Sequence, residues 1–174
     1  LGAIEYLRIK HNLPKFKFNT HKKNLLVWKE QGVGDQVLFM RFLKDIQPYV
    51  DNLYINIDKR LHAIVARSFP EVLFFNKDNS VYLDCQLSLG DLASLFVKDN
   101  LYFIDNKNHY IYSDPVIKEK LEKTIKPKNK LLCGISWISK TDEIGINKSI
   151  TLEILKPVLK IENIQFIDLQ YSDT

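Results

Sequence analysis

The chain has 174 residues, of which 45% are hydrophobic and 26% charged. That is an ordinary globular balance able to bury a core, so disorder is not the default; the length suits one domain, or one domain with part of a second. The net charge is +4, from 25 Lys and Arg against 21 Asp and Glu, with a sequence pI near 8.9, and no motif of a nucleic-acid module accompanies it, so nucleic acid is not an expected partner.

The basic residues are spread, with denser groups at Lys15, Lys17, His21, Lys22 and Lys23 and again from Lys118 to Lys130. Spread charge of this kind is a solvated surface, compatible with phosphates or with peripheral contact to an anionic membrane face. Cys85 and Cys133 each sit in an apolar run. They read as two buried thiols, suited to a reducing compartment and too few for a zinc site. His11, His21, His62 and His109 lack metal-ligand spacing and read as surface or packing residues. No apolar run reaches the roughly 18 residues of a membrane span, and no signal-peptide pattern is visible. The expected location is cytoplasmic, with room for peripheral association at the inner membrane face. The chain starts at Leu1 and stops just after a strand-like run, so it reads as a fragment.

Taken in order, Leu1 to Asn12 has helical spacing at Ile4, Leu7 and Ile9, closed by Pro14. Residues 15–23 are a polar, basic connector. Asn24 to Lys29 is a short apolar run of buried-strand type. Gln31-Gly32-Val33-Gly34-Asp35 is a glycine turn, and Gln36 to Tyr49 is an amphipathic helix. Asn52 to Ile57 is the next strand, Asp58 a cap for a helix over Lys59 to Ser68, and Pro70 its stop. Val72 to Phe75 is a strand, residues 76–80 a turn, and Val81 to Cys85 a further strand. Ser88 caps a helix from Leu89 to Phe96. An aromatic, loop-like stretch follows over 100–114, whose tyrosines suit packing better than sugar stacking. Asp114-Pro115 opens a helix to about Ile125, and residues 126–130 form a charged, proline-bearing linker. Leu131 to Trp137 is a buried strand, a helix starts at Ser149 to Glu153, and Ile164 to Leu169 is the last strand. Strands alternating with helices imply α/β architecture with a parallel, doubly wound sheet.

Two strand ends carry the polar chemistry. At Gln31, Gly32, Gly34 and Asp35, the glycines allow a tight turn and close ligand approach, and Asp35 stands where a helix dipole favours a carboxylate. The third glycine of a dinucleotide fingerprint and the Lys-Ser/Thr of a P-loop are both missing; a plain turn with Asp35 as cap accounts for the pattern equally well. The second strand end is Gly134-Ile135-Ser136-Trp137-Ile138-Ser139-Lys140, followed by Asn147-Lys148-Ser149-Ile150. Ser136, Ser139, Lys140, Lys148 and Ser149 are groups able to hold a phosphate at a helix N-terminus, or to form a solvated loop with a Ser cap.

In order along the chain, these motifs resemble those of one family. Val27 to Leu43 resembles the "W-x-E-Q-G-x-G-D-x-x-x-F-x-R-x-L" stretch of tetratricopeptide-linked bacterial glycosyltransferases, relatives of the ADP-heptose:lipopolysaccharide heptosyltransferases. Asp84 to Leu92 resembles, imperfectly, their "D-x-x-x-x-L-x-S-L" segment. Gly134 to Trp137, Lys148 to Leu152 and Ile167 to Gln170 resemble "G-x-x-W-x-G", "R-S-I-P-L" and the "S-L-Q" strand end. Ile138 departs from the usual small residue and Lys148 from Arg.

The resemblance spans Leu25 to Gln170. It implies a GT-B enzyme of two Rossmann-like domains facing across a cleft: an acceptor domain over 24–125 and the start of a nucleotide-sugar domain over 131–174, with 1–23 the end of an upstream helical repeat and its connector. It implies Asp35 as catalytic base, Gln31, Gly32 and Gly34 as its cleft loop, and Lys148 near the donor phosphates, to which Ser136, Ser139, Lys140 and Ser149 are added as candidates. The implied partners are a nucleotide-sugar donor and a glycan, lipid-linked or protein acceptor, with no metal or other cofactor. A segment lacking most of a donor domain is expected to be inactive alone. The competing reading is a non-catalytic binding domain of the same fold, and a third is an unrelated nucleotide binder.

Overall fold

The computed structural model describes residues 12–18, 23–75, 81–98, 109–125, 129–139 and 145–170. The expected N-terminal helix, the turn at 76–80 and most of the aromatic loop and linker lie outside these residues. The chain divides into two compact units, Leu1–Asp114 and Pro115–Thr174. The division precedes the helix that the sequence places ahead of its linker.

The first unit is built on a four-stranded sheet: β1 (Asn24–Trp28), β2 (Asn52–Asn56), β3 (Leu73–Phe74) and β4 (Cys85–Ser88), in the order β3-β2-β1-β4. Each paired strand runs parallel to its neighbour, as expected when helical segments connect them. Beyond β4 the backbone at Lys15 bridges Gln86 in parallel, with Phe16 N donating to the Gln86 carbonyl at 2.9 Å and Gln86 N to that of Pro14 at 2.9 Å. The connector therefore covers the β4 edge.

Strand alternation assigns the faces. Leu25 and Val27 of β1, Leu53 and Ile55 of β2, and Cys85 and Leu87 of β4 join one core cluster. Its helical wall includes Met40, Phe42, Leu43, Ile46 and Val65. The opposite face, with Leu26, Trp28, Gln86 and Ser88, is also buried. Both faces are covered, as in parallel sheets generally.

Helix α1 (Val33–Phe39) begins three residues before the expected Gln36. Gly32 is its N-cap, at φ −61° and ψ 171°, and Gln36 N donates to the Gly32 carbonyl at 3.1 Å. The chain continues through a 3-10 turn (Met40–Phe42), α2 (Leu43–Ile46) and a second 3-10 turn (Gln47–Tyr49). Asp58 caps the turn Lys59–Leu61 ahead of α3 (His62–Ser68), its carboxylate accepting from Arg60 N at 3.0 Å. Ser88 caps α4 (Leu89–Phe96), accepting from Asp91 N at 3.1 Å.

The expected strand over Val81 to Cys85 is displaced to Cys85–Ser88. Tyr82 is instead 77% exposed. The apolar run misled because the true strand carries Gln86 and Ser88 on its second face, where the Gln86 amide donates to the Leu13 carbonyl at 2.8 Å. A buried polar side chain with a partner is tolerated in a covered strand.

The second unit contains α5 (Pro115–Thr124), β5 (Leu131–Ile135), α6 (Leu152–Leu159) and β6 (Ile164–Asp168). β5 and β6 pair in parallel, Leu131 opposite Ile164 through Ile135 opposite Asp168. β5 was expected to be buried, yet Leu131 is 73% exposed, because β6 is its one described neighbour. Trp137, just beyond β5, is buried.

Candidate functional site

In the first unit, the chain passes from β1 to β2 and β3 on one side of β1 and then crosses to β4 on its other side. That reversal is where open parallel sheets bind ligands, outside the carboxyl ends of the strands. The loop following β1, Lys29 to Gly32, lies there and is held by side-chain clamps on two sides.

Gln36 is one clamp. It is 2% exposed, its amide nitrogen donates to the carbonyls of Gln31 (3.0 Å) and Gly32 (3.4 Å), and its amide oxygen accepts from Asp58 N at 2.9 Å. The loops after β1 and β2 are thus tied by one buried amide. Lys29 lies 3.8 Å from the Asp58 carboxylate, and Lys29 N donates to the Asn56 carbonyl at 2.9 Å. Hydrogen bonds from the Arg60 side chain and backbone N–H hold the Asp58 carboxyl well below the usual range.

Glu30 is the second clamp. Its carboxylate accepts from Gly90 N at 2.7 Å and Leu89 N at 3.1 Å, two of the N–H groups that a helix start leaves without an intrahelical partner. A Cβ on Gly90 would meet Glu30 Oε1, so a side chain there would displace the carboxylate.

On this frame Gln31, Gly32, Gly34 and Asp35 are exposed. Asp35 lies in the first turn of α1, with Gly32 rather than Asp35 as cap. No described glycine has a positive φ, so the glycines here relieve no backbone strain. Apart from its chain neighbours and its own helix backbone, nothing lies within 4 Å of a Cβ built on Gly34, so the surface beside Asp35 is open.

The second unit presents its own strand end. Gln170, just past β6, accepts at Oε1 from Ser136 Oγ, Trp137 N and Ile138 N, each at 3.1 Å, and donates from Nε2 to the Ile138 carbonyl at 3.1 Å. Ser139 N donates to Ser149 Oγ at 3.0 Å, and Ser149 Oγ donates to the Gly145 carbonyl at 2.7 Å. A cavity of about 660 Å³ opens here, lined by Trp137, Ile138, Ser139 and Ser149 through Glu153.

Ser139 and Ser149 are therefore brought together at this cavity. Ser136 is held by Gln170, and Lys148, exposed at the end of a 3-10 turn (Ile146–Lys148), is not among the lining residues. Lys140 lies outside the described residues. Ser149 does not cap α6, as the sequence suggested. Thr151 does, with Oγ1 accepting from Ile154 N at 3.5 Å, because Ser149 is drawn into the Ser139–Gly145 bonds. Glu153, in the first turn of α6, adds a negative charge to the lining.

Glu30, Gln36 and Gln170 received no role from the motifs. Gln36 carried a signal: it stands on the apolar stripe that includes Met40 and Leu43, where a polar residue is out of pattern. Glu30 and Gln170 carried none, since their partners lie 59–60 and 32–34 residues away. Among the described residues no group of three or more His, Cys, Asp or Glu side chains is placed to hold a metal ion, and no helix is long and apolar enough to cross a membrane.

No protein-family model matches the chain, and no solved structure matches it. The chain is similar to the protein FlbA of Caulobacter vibrioides, 27% identical over 176 residues that take in 87% of this chain and span 29% of FlbA.

Proposed function

We propose that this chain is the front part of a GT-B-type glycosyltransferase that moves a sugar from a nucleotide-sugar donor to a glycan, lipid-linked or protein acceptor. The observation that carries this reading is Gly34 beside Asp35: a clamped strand-end loop at the sheet's reversal, with an exposed carboxylate and open space kept next to it. The motif order supports it independently.

In this reading the acceptor hydroxyl approaches over Gly34. Its oxygen bonds to the anomeric carbon as the proton passes to the Asp35 carboxylate. The bond from that carbon to the phosphate oxygen breaks, and the nucleoside diphosphate leaves with the electron pair. The loop of Ser139 and Ser149, with the free N–H groups at the start of α6 and Lys148, serves the diphosphate. Glu153 opposes an anion at the cavity, so the diphosphate needs a cation beside it, and Lys148, outside the cavity lining, is the one proposed. Residues 131–174 would belong to the donor domain and residues 24–125 to the acceptor domain. Two cysteines, each in an apolar run, Cys85 and Cys133, suit a cytoplasmic setting in this reading.

The test is an assay of the full-length protein with radiolabelled nucleotide sugars. Transfer to an acceptor, or slow release of free sugar from at least one donor, is expected. A folded protein that neither transfers nor hydrolyses any of them contradicts the reading.

A further inference from the structure

A second cavity, of about 200 Å³, lies in the first unit, lined by Leu13, Lys15, Trp28, Gln86, Leu87, Ser88 and Asp91. Trp28 and Ser88 are the last residues of β1 and β4 and sit opposite each other in register. The cavity thus lies at the carboxyl ends of the two strands at which the sheet order reverses, the location that open α/β sheets use for ligands. Trp28 and Ser88 belong to the face opposite the main core cluster, whereas α1, which carries Asp35, packs Val33 and Val37 against that cluster. The cavity is therefore a different place from the Asp35 loop.

Its chemistry is specific. Trp28 is 2% exposed, and its indole Nε1 has no hydrogen-bond partner among the described residues. A buried N–H without an acceptor costs free energy that a ligand oxygen would recover. Ser88 Oγ accepts from Asp91 N, which leaves its own proton to donate. The two charges at the cavity, Lys15 and Asp91, are paired with each other at 2.9 Å, so the lining is neutral in sum and a charged ligand would have to break that pair. Leu13 and Leu87 add an apolar wall. The volume is below the roughly 300–1,000 Å³ of sites for drug-sized ligands, which limits the occupant to one ring.

We infer that this cavity is a binding site for a single neutral, hydroxylated ring of monosaccharide size, with a ring or hydroxyl oxygen accepting from Trp28 Nε1 and a second oxygen accepting from Ser88 Oγ. The inference does not rest on the transfer chemistry and survives its failure.

The chain has two tryptophans, Trp28 and Trp137, so a nitrogen-labelled sample gives two indole N–H resonances. Trp137→Phe assigns them, or through-bond correlation does so if that variant is unfolded. Titration with uncharged methyl glycosides at millimolar concentrations should move the Trp28 indole resonance saturably and leave that of Trp137 in place. Leu13→Phe, which fills the cavity from the connector, should abolish the response, and the matching uronates and glycosyl phosphates should give none. The inference is overturned if no glycoside moves the Trp28 resonance, if the response is confined to Trp137, if it persists in a folded Leu13→Phe protein, or if only the charged compounds produce it.

Discussion

Glu30 and Gly90 are joined at 2.7 Å, carboxylate to backbone N–H, in a space that a Cβ on Gly90 would fill. Through this contact the loop after β1 is fixed to the start of α4. Two hydrogen bonds to a charged group are at stake, so Glu30→Ala should lower stability by about 1–3 kcal/mol. Gly90→Ala should cost a comparable amount, by displacing the carboxylate. In the Glu30→Ala background Gly90→Ala should then cost little, because the group it displaces is gone. Urea denaturation of the four proteins measures this; fully additive costs would mean that the contact is not what makes Gly90 necessary.

Gln36 is the other clamp, and Gln36→Leu keeps its apolar stem while removing both ends of the bridge. The Gln31 carbonyl and Asp58 N would lose their partners. A loss of about 1–3 kcal/mol is expected, together with faster hydrogen exchange at Asp58 N. Unchanged exchange there would show that solvent or a neighbour takes over the bond.

Gly34→Ala separates folding from ligand approach. With open space around the position and a helical backbone, alanine should leave stability unchanged or raise it by about 0.5–1 kcal/mol. Transfer activity should nevertheless fall, since the added methyl occupies the surface kept for the acceptor. Full activity in a protein of equal or higher stability would remove Gly34 from the site.

The two thiols should behave differently. Cys85 is buried in the sheet, and desolvation pushes its pKa up to about 11 from an ordinary value of 9.0. Cys133 is partly exposed. At mildly alkaline pH a thiol reagent should label Cys133 in the native protein and Cys85 only on unfolding. The sign for stability follows from the raised value: an unfolded Cys85 ionises first as pH rises, so its contribution is whole below about pH 9 and is lost as pH approaches 11. Native labelling at Cys85 as fast as at Cys133 would contradict the burial.

Much of the first sheet was legible in the sequence because β1 and β2 are short apolar runs between polar turns, and because Asp58 and Ser88 announce the helical segments that they cap. The position of β4 was not, since Gln86 and Ser88 look like loop residues until the Leu13 carbonyl and the α4 start supply their partners. The start of α1 was hidden by two glycines that are poor helix formers in isolation yet have ordinary helical or extended backbone here. At the site, glycines and charged side chains could be read from local spacing. The clamps of Glu30 and Gln170 depend on contacts made only after the strands pair.

The reading of Asp35 as general base is tested most directly by Asp35→Asn in the full-length protein, assayed for kcat of sugar transfer alongside thermal unfolding. Gly32, not Asp35, is the helix cap, so the substitution should leave the unfolding midpoint unchanged. An asparagine cannot take up the acceptor proton, and kcat should fall by about 10²-fold or more. An Asp35→Asn protein of unchanged stability that keeps its kcat would contradict the account.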